Sequence, residues 1–145
     1  MKAVECLIKV ERGRGMLVDD ALQKAAHGHA DAAVNLKWWG MSDPHVNPVT
    51  HSTIESRIRA QNFCAGGDLY AGSLTEITYT GSGSRNTPAA AVDWWMHSAR
   101  DRAIILSKGL YSEGIWAEWG SALDRSDFGS ATYVVDFGTC GSGGG

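Results

Sequence analysis

The chain has 145 residues, of which 43% are hydrophobic and 20% are charged, and its formal net charge is -3. One domain of this length can bury a substantial core. The mixed charges form no basic face, which argues against nucleic acid as a partner, and no apolar run reaches the roughly 18 residues of a membrane span.

The hydrophobic pattern predicts helices and strands without a strict βαβ repeat or an internal repeat. In chain order, the predicted elements are a helix over residues 2–14, a helix over 20–37 capped by Asp19 or Asp20, a loop over 40–50, a helix over 52–61, a strand over 73–80, a loop over 81–86, two helices within 87–106, and strands over 109–120 and 131–137 joined by a hairpin loop over 123–129. This order predicts an α+β fold, a three-layer α-β-α sandwich with a small, mainly antiparallel central sheet.

The segment over residues 87–106 carries the clearest local signals. Thr87 is a good N-cap, and Pro88 suits the first helical position. A polar break then separates an amphipathic helix from a short apolar one. The spacing of a buried face is followed by Val92, Trp95, Met96 and Ala99.

This segment, TPAAAVDWWMHSARDRAIIL, and the later ATYVVDFG resemble the CAP (SCP-like) superfamily of cysteine-rich secretory, antigen 5 and pathogenesis-related proteins. In its bacterial secreted members, AV-x-x-W-M-x-S-P-G-H-R-A-x-I-L precedes a final strand ending in DFG. DALQKAAHGHADAAVNLKWWG and ESRIRAQNF are similar to two further family segments. The resemblance implies one CAP-like domain over residues 1–140 and a secreted or extracellular protein, although no signal peptide is visible. The Gly/Ser tail over 141–145 is expected to be a linker or a cloning remnant.

The family's cleft holds two histidines and one or two glutamates that can bind a divalent metal, commonly zinc. In register, Met41 takes the place of the first histidine, and His45 could substitute for it in space. Asp101 replaces the second histidine. Matching Ile77 puts Thr75 on the glutamate, whereas a one-residue slip would put Glu76 there and reverse the strand's faces. The resemblance therefore implies an altered cleft, and we expect no metal and no cofactor in it.

Two pairs of adjacent tryptophans lie on or at the end of predicted helices, at 94–95 and at 38–39. Neighbours on a helix point in different directions, so one member of each pair is expected in the core. Trp39 and Trp94 would then line a cleft or be exposed. The predicted ligand-binding set is Met41, Thr75, Trp39, Trp94 and His97.

The function predicted from this resemblance is a non-enzymatic binding or interaction module. Its ligand would be a small apolar, lipid-like molecule, or a protein or cell-surface partner; the oligomeric state stays open. In one alternative the protein is an enzyme in which His45, Glu76 and Asp101 supply acid–base groups for hydrolysis or a cyclisation-type reaction. In another it is an assembly scaffold whose cleft is filled by Met41 and Leu74.

Three cysteines permit at most one internal disulfide. Cys6 has apolar neighbours on the first helix and is predicted to be a buried free thiol. Cys64 and Cys140 lie in Gly-rich segments, where a bridge between them and two separate thiols are equally compatible with the sequence. Among the histidines, His29 is predicted in the core, and His27 points about 200° away from it, so the two cannot share a metal.

Overall fold

The computed structural model describes residues 1–141. The helices are α1 (Lys2–Arg12), α2 (Asp20–Leu36), α3 (Ile54–Ala60), α4 (Pro88–Met96) and α5 (Ala99–Leu106). The strands are β1 (Leu17–Val18), β2 (Asp68–Leu69), β3 (Thr75–Ser82), β4 (Ser112–Trp119), β5 (Ser130–Gly138) and β6 (Cys140–Gly141). Short 3-10 turns occupy Ala71–Ser73 and Gly83–Arg85.

A four-stranded sheet in the order β1-β4-β5-β3 forms the middle layer. β1 is parallel to β4, and the other pairs are antiparallel. α2 and α3 pack on one face of this sheet, and α1, α4 and α5 pack on the other. The predicted α-β-α sandwich is therefore confirmed. β3 is an edge strand, and β2 and β6 form a separate antiparallel pair.

The helix starts follow the predicted capping chemistry. The side chain of Asp19 accepts from the backbone N–H of Leu22 at 3.0 Å, and Thr87 accepts from the backbone N–H of Ala90 at 3.1 Å. α4 ends at Met96, and α5 begins a new helix axis. As a result Ala99, predicted on the buried face, is exposed.

The core lies along β5, all of whose residues are buried. On the face under α1, α4 and α5, Trp95 is fully buried, and its indole N–H donates to the carbonyl oxygen of Thr78 at 2.9 Å. On the other face, α2 lies directly against β4 at Gly114. A side-chain carbon at that position would collide with the backbone of Leu22 and Gln23, so the close approach of helix and sheet requires glycine there.

A disulfide joins Cys64 to Cys140 across 76 residues, which settles the alternative that the sequence left open. It attaches the loop after α3 to β6. Cys6 is free, but it is exposed, and the prediction of a buried thiol is wrong. The buried positions of α1 are Val4 and Ile8, and Cys6 lies two residues from each, about 200° around the helix.

Some element bounds also differ from the prediction. β3 continues through Gly81 and Ser82, which were predicted as loop, because both pair with β5. Gly141 belongs to β6, whereas it was predicted as part of a tail; the rest of that tail lies outside the described residues. Among the described helices, none combines the length and the apolar character that crossing a bilayer requires.

Candidate functional site

An open groove of about 590 Å³ runs along the edge strand β3. Its floor is residues 78–82. Trp39, from the loop after α2, and Trp94, from α4, reach the groove from the two opposite helical layers. The remaining lining residues are Pro44, Arg85, Leu123 and Arg125.

The tryptophan pairs divide between core and groove. Trp38 is 2% exposed and Trp95 is 0% exposed, whereas Trp94 is 56% exposed. One member of each pair is thus in the core, as the sequence predicts, and its neighbour lines the groove. An aromatic wall on each side gives the groove two apolar surfaces that an apolar molecule can contact.

The other three residues of the predicted binding set lie outside this groove. Met41 is 76% exposed. Thr75 lines a separate shallow depression beside α5, together with Ile104. His97 is exposed at the end of α4, where its Nδ1 lies 2.7 Å from the carbonyl oxygen of Asp93.

In the scaffold alternative, Met41 and Leu74 fill the cleft, but neither side chain lines the β3 groove. The side chain of Met41 points into solvent. Leu74 is half-buried against the apolar cluster around Phe63, next to α3.

A second arrangement, on the α2 and α3 side of the sheet, is a buried cluster of charged and polar groups around Glu76. Oε1 of Glu76 lies 2.8 Å from Nδ1 of His45 and 3.5 Å from Nε2 of His29. Oε2 accepts from a guanidinium N–H of Arg57 at 3.1 Å. Asp136 lies directly opposite Glu76 in the β3–β5 register.

The two carboxyl groups of this cluster have different protonation states. Burial raises the pKa of Glu76, but the contacts with His45, Asp136, His29 and Arg57 outweigh it and bring the pKa to about 2. Burial and the neighbouring charge of Glu76 raise the pKa of Asp136 well above its usual value. Of the two groups, Glu76 therefore keeps its negative charge to the lower pH, and Asp136 keeps its proton to the higher pH.

His29 is buried, as predicted, and it is neutral. Burial lowers its pKa more than the nearby Glu76 raises it. Its Nε2 lies 2.7 Å from the carbonyl oxygen of Pro44, so Nε2 carries the hydrogen and donates it. Its Nδ1 has no hydrogen-bond partner among the described residues.

The three residues of the enzyme alternative do not come together. His45 and Glu76 are in contact, but Asp101 lies in the first turn of α5, where its carboxylate pairs with Arg100 at 2.8 Å. Within residues 1–141, no hydrogen bond joins Asp101 to either of the others. The strand faces explain this: Ile77 lies in the core under α1, α4 and α5, whereas Glu76 contacts groups from the α2 and α3 side. That Thr75 takes the family's glutamate position stays a prediction.

Arg57 and Asp136 were not predicted as site residues from the sequence. One signal was present, because Asp136 interrupts the apolar strand TYVVDFG, and a charged residue in a buried strand needs a partner. No comparable signal marks Arg57, which lies on a short helix with other charged residues.

Glu113 forms a further buried site, on the α1 side of the sheet. Burial, reinforced by Glu5 and opposed by Arg12, raises its pKa from 4.5 to about 7. Between these two pH values, the native state holds a proton that the unfolded state has lost. The stability contributed by Glu113 is therefore complete below about pH 4.5 and is lost as the pH rises through 7.

We expect Glu113→Gln to remove this pH dependence. The free energy of unfolding of the variant, relative to the wild type, should increase by about 3 kcal/mol between pH 4.5 and pH 8. Urea unfolding at both pH values measures it. Glu11→Gln, an exposed change on α1, is the matched control. If the difference in unfolding free energy between Glu113→Gln and the wild type is the same at both pH values, the raised pKa of Glu113 is contradicted.

The layered fold, with its mainly antiparallel sheet, is similar to that of two solved structures, one of which contains an SCP domain, and this supports a CAP-like fold. An outer surface protein from Borrelia burgdorferi superposes with a TM-score of 0.64 at 16% identity, over 96% of this chain and 93% of that one. An extracellular protein containing a SCP domain from Bacillus anthracis str. Ames superposes with a TM-score of 0.65 at 16% identity. There the match covers 94% of this chain but only 39% of the other.

At this identity, the two likenesses concern the fold alone. No protein-family model matches the chain. No curated protein sequence matches it either.

Proposed function

We propose that this chain is an extracellular CAP-type binding module that holds an elongated apolar molecule with an anionic end in the β3 groove. The observation that carries the proposal is that Trp39 and Trp94, from opposite helical layers, line one groove. Two wide aromatic surfaces on either side of a ligand provide apolar contact at low cost in side-chain entropy.

The size and charge of the groove favour this class of ligand. A volume of about 590 Å³ is within the usual range of small-molecule sites. Pro44 and Leu123 extend the apolar lining. Arg125 forms no ion pair within the described part of the chain, and Arg85 has only a long contact, 3.9 Å, with Asp93. Their guanidinium groups are available to a carboxylate or a phosphate.

An extracellular location is supported by the disulfide between Cys64 and Cys140, because structural disulfides persist in oxidising compartments. The two similar structures are described as an outer surface protein and an extracellular protein. A fold shared at 16% identity supports this location by analogy.

Removal of either groove tryptophan should weaken binding of a long-chain fatty acid. With oleate below its micellar concentration as the probe, we expect Trp94→Ala and Trp39→Ala each to lower the affinity by about tenfold or more, or about 1.4 kcal/mol. Isothermal titration calorimetry measures this, with melting temperatures to show that the variants are folded.

Trp119→Ala is the matched control, because Trp119 is 76% exposed and lies outside the groove. Its affinity for oleate should equal that of the wild type. Arg125→Gln should lower the affinity for oleate more than the affinity for the corresponding alcohol, which lacks the anionic end. Equal affinities of the wild type and Trp94→Ala would overturn the proposal.

A further inference from the structure

A cluster on the outer side of the molecule brings together His27 and Asp31 of α2 with Glu118 of β4. One ligand atom from each side chain lies within 4.8 Å of the other two. Nε2 of His27 and Oδ2 of Asp31 are 3.1 Å apart. All three side chains are partly exposed, and none belongs to the β3 groove or to the cluster around Glu76.

The packing of α2 on β4 produces this arrangement. Four helical residues advance about 6 Å, and two strand residues advance about 6.7 Å. Every second residue of β4, on the face toward α2, therefore lies opposite the next turn of α2. Gly114 lies under the first turn, Trp116 contacts His27, and Glu118 reaches Asp31.

Trp116 holds two of the three groups in place. Its ring stacks on the imidazole of His27, with centroids 3.7 Å apart and planes at 16°. Its indole N–H donates to Oε2 of Glu118 at 2.8 Å. The imidazole plane and the carboxylate are thus positioned before any ligand arrives, which reduces the entropy that a ligand must overcome.

We propose that His27, Asp31 and Glu118 form a binding site for a divalent transition-metal ion of the Zn²⁺ type. One imidazole nitrogen and two carboxylate oxygens are ligands that Zn²⁺ accepts, and three protein ligands leave a position for water. The two carboxylates repel each other when both are ionised, and the cation balances their charge. The proposal is independent of the groove and of its ligand.

The experiment is a calorimetric titration of the whole chain with Zn²⁺ alone, after treatment with a chelator. Wild-type protein should bind one equivalent. His27→Ala and Glu118→Gln should each lower the affinity by at least about tenfold. Zn²⁺ should also raise the melting temperature of the wild type but not that of His27→Ala, because it binds only the folded form.

The chain offers a matched control in His97 and Asp93, an exposed pair with the same i,i+4 spacing on a helix. Among residues 1–141, no third histidine, cysteine or carboxylate lies close enough to complete a metal site with this pair. His97→Ala should bind Zn²⁺ as the wild type does. The proposal is overturned if the wild type does not bind, if His27→Ala binds with unchanged affinity and stoichiometry, or if His97→Ala loses as much affinity as His27→Ala.

Discussion

Replacement of Cys64 and Cys140 by serine should lower the free energy of unfolding by about 4 kcal/mol. The bridge closes a loop of 76 residues. Without it the unfolded chain gains conformational entropy, and the loop length predicts a loss of stability of this order. The loss should also free β6 from β2, because Cys140 lies in one strand of that pair. Chemical unfolding of the double variant under non-reducing conditions measures the difference.

Cys6→Ser is the control for this experiment. Cys6 is exposed and has no disulfide partner, so its replacement should change the free energy of unfolding by less than about 0.5 kcal/mol. Addition of a reductant to the wild type should reproduce the destabilisation of the double variant. If the double variant is as stable as Cys6→Ser, the disulfide contributes nothing to stability.

The second large effect is expected at Glu76. Glu76→Ala should destabilise the fold by about 3–5 kcal/mol, because it leaves the guanidinium of Arg57 partly buried without its carboxylate. Removal of the Glu76 charge also leaves His45 without its closest partner. Denaturant unfolding at neutral pH measures the loss, and Glu76→Gln, which keeps the shape, should lose less.

The matched control is Glu55→Ala on the neighbouring helix α3. Glu55 pairs with Arg59 at 2.8 Å, but both side chains are about half exposed, so the loss should be below about 1 kcal/mol. The difference between wild type and Glu76→Ala should shrink in acid. The pKa of Glu76 is lowered from 4.5 to about 2, so its stabilisation is present above pH 4.5 and is lost toward pH 2. Similar losses for Glu76→Ala and Glu55→Ala would contradict this account.

Local patterns predicted the layers of the fold well. Caps at Asp19 and Thr87 and the alternation in β3 depend on neighbouring residues, and a single sequence contains that information. The two-residue strands β1, β2 and β6 were missed, because each exists only through pairing with a distant segment. Cys6 was misplaced because apolar neighbours on both sides of α1 concealed which side faces the core.

The functional sites were harder to predict, because their members are brought together by the sheet. Adjacent tryptophans point in different directions on any helix, so the division between Trp94 and Trp95 followed from local geometry. The cluster around Glu76 combines a loop, two helices and two strands, and only the contact between His45 and Glu76 involves two residues of the predicted set. The grouping of His27 with Glu118 depends on how α2 lies across β4, which no local pattern reports.

The close contact at Gly114 has a consequence for engineering the protein. α2 positions both His29 in the buried cluster and His27 on the outer surface, so both sites depend on where this helix lies. A methyl group at position 114 would push α2 away from the sheet, since the nearest atoms belong to the backbone of α2 and not to a flexible side chain. Gly114 therefore sets the distance between α2 and the sheet. A larger residue there would move α2 and so change the geometry of both sites, although every side chain of the two sites would be unchanged.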